Sequence, residues 1–87
     1  MHTYLALDRF VETCNVIDEY DAGLPNMRIG VTLFECSHGI LVVNYVDESY
    51  GEGGYETFFV TRSRKKAQIE FEYWKYEAET RAYELGL

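Results

Sequence analysis

The stretch Met27-Arg28-Ile29-Gly30-Val31-Thr32-Leu33-Phe34-Glu35-Cys36-Ser37-His38-Gly39-Ile40-Leu41-Val42-Val43-Asn44-Tyr45-Val46-Asp47 decides the fold. From Met27 to Glu35 the pattern repeats every second residue, the period of a strand. Met27, Ile29, Val31 and Leu33 fall on one side, with Arg28, Gly30, Thr32 and Phe34 on the other. After Ser37-His38-Gly39 a second strand runs from Ile40 to Asp47. A glycine closing that short connection suits a three-residue hairpin with a left-handed position. Such a turn sets Leu33 opposite Val43 and Val31 opposite Tyr45, giving one coherently apolar side. A two-residue turn would set Leu33 against Asn44 and is rejected for that reason.

Outward from this hairpin, residues 47–54 form a Gly-rich acidic loop, and Tyr55 to Thr61, rich in β-formers, reads as a third strand. Upstream, Tyr4, Leu7, Val11 and Cys14 recur at three- and four-residue steps, widened by Phe10 and Ile17. That spacing predicts a helix over residues 4–20, with Thr3 as its N-cap. Gly23 takes the left-handed stop position and Pro25 forbids continuation. The expected architecture is a two-layer α+β domain, α-β-β-β-α, with a three-stranded antiparallel meander, spanning 1–87 as a single domain. Both helices are expected on one face of the sheet. The other face, carrying Phe34, Ile40, Val42 and Val46 between Thr32 and Asn44, then becomes a candidate second contact surface.

Residues 64–85 read as one long helix with two apolar sides. At roughly 100° per residue, Ala67, Phe71, Trp74, Ala78, Ala82 and Leu85 share one side. Ile69, Tyr73, Tyr76, Thr80 and Tyr83 share the opposite one. Charges fill both flanks, and Lys66–Glu70 and Glu77–Arg81 are spaced for i,i+4 pairing. A helix lying on a sheet needs one apolar stripe. The side with Ala67, Phe71, Trp74 and Ala78 is expected against the sheet. The Ile69, Tyr73, Tyr76 and Tyr83 side is then surplus and becomes a candidate partner surface, either for another protein or for a second copy in a homodimer.

The chain carries 15 acidic and 8 basic residues, a net charge of −7, and eight Tyr, five Phe and one Trp among its 87 residues. Tyrosine and tryptophan offer large contact area with a polar tip, so they are enriched at binding surfaces. An acidic protein is repelled by nucleic-acid phosphates and attracted to basic surfaces. Asp47, Glu48, Glu52 and Glu56 cluster around the glycines of the loop and form a candidate acidic finger for a basic protein partner. Cys14 and Cys36 are too few for a disulfide framework and fall in different expected elements. No secretory leader is visible, and the run Ile40 to Val43 is far too short to cross a membrane. A reducing, cytoplasmic setting is therefore expected.

No cofactor, metal or catalytic motif stands out, and an enzyme is not expected. Cys36, Ser37 and His38 are adjacent, but neighbours on an extended chain point to opposite sides and no third group orients the imidazole. A turn histidine tolerating unusual backbone angles is the favoured reading of His38. The acidic loop does not fit the spacing of a calcium-binding EF-hand, and its glycines lack the Lys-Ser/Thr of a phosphate loop.

Arg62, Arg64, Lys65 and Lys66 make up half of the basic residues. They sit where the helix dipole disfavours positive charge, so local stability does not explain them; pairing with the acidic loop, an anionic ligand at the helix N-terminus and phosphate contact are the competing readings. Ser63-Arg64-Lys65-Lys66-Ala67, with the α-β-β-β-α order, resembles the double-stranded RNA-binding domain, whose last helix opens with a Ser-Lys-Lys-x-Ala-Lys phosphate clamp. Gln68 stands where that family has its last lysine, and Phe71 and Glu72 stand where it has alanines. His38 lies in the loop between the first two strands, as that family's minor-groove histidine does, but without its Gly-Pro-x-His setting. The resemblance implies a nucleic-acid-binding module, and the net charge opposes it. The leading expectation is a small acidic interaction protein. Its size and charge suit a stoichiometric inhibitor of a nucleic-acid-handling complex, of the anti-CRISPR or anti-restriction kind carried by phages.

Overall fold

The computed structural model describes residues 13–51 and 54–86. Four strands, β1 (Asn15–Asp21), β2 (Ile29–Glu35), β3 (Leu41–Asp47) and β4 (Tyr55–Thr61), form one antiparallel sheet in the order β1-β2-β3-β4. One helix, α1 (Arg64–Glu84), follows and packs on one face of that sheet. The α+β meander closing on a long helix is thus as expected, with one strand more.

The central hairpin has the register that the apolar pattern requires. Leu33 pairs with Val43 and Val31 with Tyr45, and all four are buried in the core. The connection is a 3-10 turn over Ser37–Gly39, closed by the Cys36 amide donating to the Ile40 carbonyl at 2.8 Å. His38 has φ 61°, a left-handed angle that β-branched and bulky residues avoid. Its role is the backbone one that the turn demands.

The additional strand corrects the expected helix over residues 4–20, at least where the chain is described: Asn15–Asp21 is extended and paired with β2. Residues 4–12, with Tyr4, Leu7, Phe10 and Val11, lie outside the described residues, as does Thr3. The register shifts between Val16 and Asp18, a bulge that displaces Ile17 from strict alternation. Gly23 is left-handed as expected, at φ 74°. It serves a β1–β2 turn, where its amide donates to the Asp21 side chain at 2.7 Å. Gly30 opposes Asp21 across the same ladder. A Cβ there would stand 2.7 Å from the Tyr20 carbonyl oxygen, so glycine is what lets β1 come this close.

The β1 pairing also brings Cys14 to Cys36, and the two form a disulfide with Cα atoms 4.5 Å apart. This corrects the expectation of two unpaired cysteines. It also removes the ground for inferring a reducing setting, because disulfides persist in oxidising compartments. No described helix is long and apolar enough to cross a membrane.

On the helix side of the sheet, Ile29, Val31, Leu33, Leu41, Val43 and Tyr45 pack against Ala67, Phe71 and Ala78. The alanines let the backbone of α1 approach closely, and Phe71, 1% exposed, fills the centre. Ser63 caps the helix, its hydroxyl accepting from the Lys66 amide at 3.1 Å. Gly86, at φ 88°, ends it by donating to the Tyr83 carbonyl. Thr32, Val42 and Asn44 on the other face are buried too. Asn44 is satisfied there by donating to the Glu56 carboxylate and the Thr57 carbonyl, at 3.0 and 3.2 Å. That face is not the wholly solvated surface that a two-layer domain leads one to expect.

Two outcomes follow from this packing. Phe71→Ala leaves a cavity under the middle of α1 and should cost about 3–5 kcal/mol in urea denaturation. Reducing the disulfide should cost about 2–4 kcal/mol by freeing the unfolded chain. A reduced protein that melts together with the oxidised one would show that the bond contributes nothing.

Candidate binding surface around the C-terminal helix

The side of α1 turned from the sheet carries Ile69, Tyr73, Tyr76 and Tyr83, all more than half exposed. They are the stripe that the helical spacing singles out. Trp74, expected on the packed side, is only half-buried, and it begins a second feature that the helical spacing alone did not reveal.

Trp74 stacks on Tyr45 of β3, with ring centroids 4.4 Å apart and planes inclined by 26°. Tyr73 meets the same indole edge-on at 4.9 Å. Tyr55 of β4 lies 6.1 Å from Tyr45 and 6.3 Å from Trp74, and Tyr50 lies 5.7 Å from Tyr55. These five rings and Glu77 line a cleft of ≈ 330 Å³ between α1 and the β3–β4 connection. Beside it, Tyr45, Asp47, Tyr50, Glu77, Thr80, Arg81 and Glu84 line a more polar hollow of ≈ 250 Å³. Tyr45, Tyr50 and Glu77 belong to both, so the two are halves of one groove.

Asp47 organises the polar half. Its carboxylate is 1% exposed and accepts from the Tyr45 hydroxyl at 3.1 Å, the Ser49 amide at 2.8 Å and the Ser49 hydroxyl. Arg81 lies 3.8 Å from it and donates from Nε to the Ser49 hydroxyl at 2.8 Å. The guanidinium carbon also sits 4.8 Å from the centre of the Tyr50 ring, a cation–π contact. Arg81 reaches on to Glu84 at 3.7 Å. The expected Glu77–Arg81 pair does not form, because the buried carboxylate takes the arginine. Glu77 is left half-buried, with no ion-pair partner among the described residues. Glu70 likewise spends its carboxylate on the Trp74 indole N–H, at 3.0 Å, rather than on Lys66.

The acidic finger is dispersed by the fold. Asp47 is buried, so its reading as a surface contact is corrected: as the last residue of β3 it shares the helix-facing side with Ile29 and Tyr45. Glu48 is exposed but accepts from the Arg28 amide at 2.6 Å, tying the loop to the start of β2. Glu56 is a strand residue paired with Val46, and burial raises its carboxyl above the usual range. Glu52 lies outside the described residues.

The basic cluster is partly occupied within the chain. Arg62 donates to the His38 carbonyl at 3.3 Å, and Arg64 lies 3.6 Å from Glu35. Lys65 and Lys66 are exposed. The four-stranded order departs from the three-stranded meander of the double-stranded RNA-binding domain. Comparison with protein-family models, curated proteins and solved structures finds no match.

The residues that sequence reasoning missed are Tyr45, Tyr50, Tyr55, Trp74, Glu77 and Arg81. The excess of tyrosine was the available signal, but their convergence needs the β3–β4 register and the position of α1 together.

The Tyr45 phenol is pushed well above its ordinary pKa, first by burial and then by the adjacent Asp47 carboxylate. The folded chain therefore holds this proton longer than the unfolded chain does. The associated stability is complete below about pH 10, the ordinary tyrosine value, and is lost as pH rises towards the folded value. Tyr45→Phe should flatten the alkaline fall in urea midpoint relative to the wild type. Parallel curves would show that Tyr45 contributes nothing to it.

Proposed function

We propose that this chain acts by binding a protein with a basic surface, without catalysis, through the outer side of α1 and the groove beside it. The observation that carries this reading is the continuity of the two features. Tyr73 belongs both to the exposed Ile69, Tyr73, Tyr76 and Tyr83 stripe and to the aromatic cleft. Rigid aromatic area of this kind supplies the anchors of protein interfaces. Carboxylates of Glu77 and Glu84 border the groove, and the net charge of −7 favours approach of a basic partner.

Within that reading, the partner class best matched to small size and acidity is a nucleic-acid-handling complex of the CRISPR or restriction kind, which the chain would inhibit stoichiometrically. A cytoplasmic site of action belongs to this reading only if Cys14 and Cys36 are reduced there, which thiol alkylation in cells followed by mass spectrometry decides. A second copy is the other occupant that the Tyr side could take, and the oligomeric state in solution separates the two.

The test is capture of a partner from the native host, repeated with the double variant Tyr73→Glu, Tyr76→Glu. Both side chains are more than half exposed, so thermal stability should hold while partner affinity falls at least about 100-fold, the loss of two anchors. Sedimentation should show a monomer, and a gel shift with duplex RNA or DNA at low salt should show no complex. Partner binding that survives the double variant would place the interface elsewhere. A duplex shift that depends on Lys65 and Lys66 would replace the reading with nucleic-acid binding.

A further inference from the structure

The groove treats the carboxylates of Asp47 and Glu77 unequally. Asp47 holds Arg81, whose guanidinium carbon lies 4.8 Å from the centre of the Tyr50 ring in a cation–π contact. Glu77 lines the same groove and faces the aromatic half, yet it pairs with no cation among the described residues. One half is thus a guanidinium site satisfied from within the chain. The other repeats its components: ring faces with a carboxylate beside them.

We propose that the aromatic half, lined by Tyr45, Tyr50, Tyr55, Tyr73, Trp74 and Glu77, is a docking pocket for an arginine side chain of the basic partner. This rests on the reading that the chain works by binding a protein. The shape of the cleft selects the cation. Tyr45 and Trp74 are stacked on each other, and Tyr50, Tyr55 and Tyr73 stand inclined to their neighbours at 43° to 82°, so aromatic rings make up most of the wall beside Glu77. A flat guanidinium slides along such a wall and turns its edge to the carboxylate in a forked pair. A spherical trimethylammonium is held best by rings on several sides. A lysine ammonium is more strongly hydrated and loses more on entering a slot lined mainly by rings, with Glu77 its one carboxylate. The cleft volume of ≈ 330 Å³ accommodates the guanidinium with part of its stem.

Trp74 is the one tryptophan in the chain, so its fluorescence reports on this pocket alone. The probes are the N-acetyl amides of arginine and lysine, and tetramethylammonium chloride at matched ionic strength, each titrated into the full chain. Arginine amide should give a saturable change at least about 5-fold tighter than the other two, and Glu77→Gln should weaken it about 10-fold, the loss of one charge-assisted hydrogen-bonded pair. Tyr50→Ala should weaken it as well, and far-ultraviolet circular dichroism checks that both variants stay folded. Tyr76→Glu lies on α1 outside the pocket lining and should leave the titration unchanged. No saturation with arginine amide, equal affinity for all three probes, or a Glu77→Gln variant that binds as tightly as the wild type would each overturn the proposal. Partner capture that Tyr76→Glu weakens and Glu77→Gln leaves untouched would retain the binding reading and discard the arginine pocket. Loss of capture in neither variant would remove the reading itself.

Discussion

The buried carboxylate of Asp47 is the constraint around which this molecule is arranged. A charge that is 1% exposed is tolerated only when it is hydrogen-bonded and paired. Asp47 meets that demand from three directions: the Tyr45 hydroxyl two residues earlier on β3, the backbone and side chain of Ser49 in the following turn, and Arg81 from the last turns of α1. The end of the central strand, the loop after it and the far end of the helix are therefore held to one point. Replacing any of these partners leaves the others facing an undersatisfied charge, which is why such a cluster ties elements together more firmly than its net energy implies.

That arrangement decides what the surface offers. Drawing Arg81 inward frees Glu77 of the cation that its spacing on the helix provides. Holding the Glu48–Tyr50 turn against α1 brings Tyr50 beside Tyr55 and over to the guanidinium. The core needs from α1 only Ala67, Phe71, Ala78 and Ala82 to be buried. On the side turned from the sheet, Ile69, Tyr73, Tyr76 and Tyr83 stay more than half exposed. The chain therefore presents aromatic area and unpaired negative charge side by side, the combination that a basic protein surface meets well.

The sheet contributes the frame. Its first strand is an edge strand with Asp18, Glu19 and Asp21 along it and a bulge near Ile17, features that discourage pairing with a further chain. The disulfide joins the chain just before that strand to the end of β2. In a domain of this size the apolar core is modest, so a cross-link closing a loop of 22 residues is a sizeable share of what holds the first strand in place.

The sequence by itself determined the elements whose periodicity is regular. The alternation around Leu33 and Val43 set the hairpin register, Tyr55–Thr61 was legible as a strand, and the small-and-large stripe of Ala67, Phe71 and Ala78 marked the packed side of the helix. The surplus Tyr stripe was legible for the same reason, because a helix repeats its faces locally. Only the tertiary structure decided the rest. The first strand was hidden by its bulge and its charges, since an edge strand buries too little to show a clean period. The disulfide required that strand to pair before its two sulfurs could meet. The aromatic groove and the fate of Asp47, Arg81 and Glu77 depended on residues far apart in the chain meeting at one point. Competition between two carboxylates for one arginine is settled by burial, and burial is a property of the assembled fold.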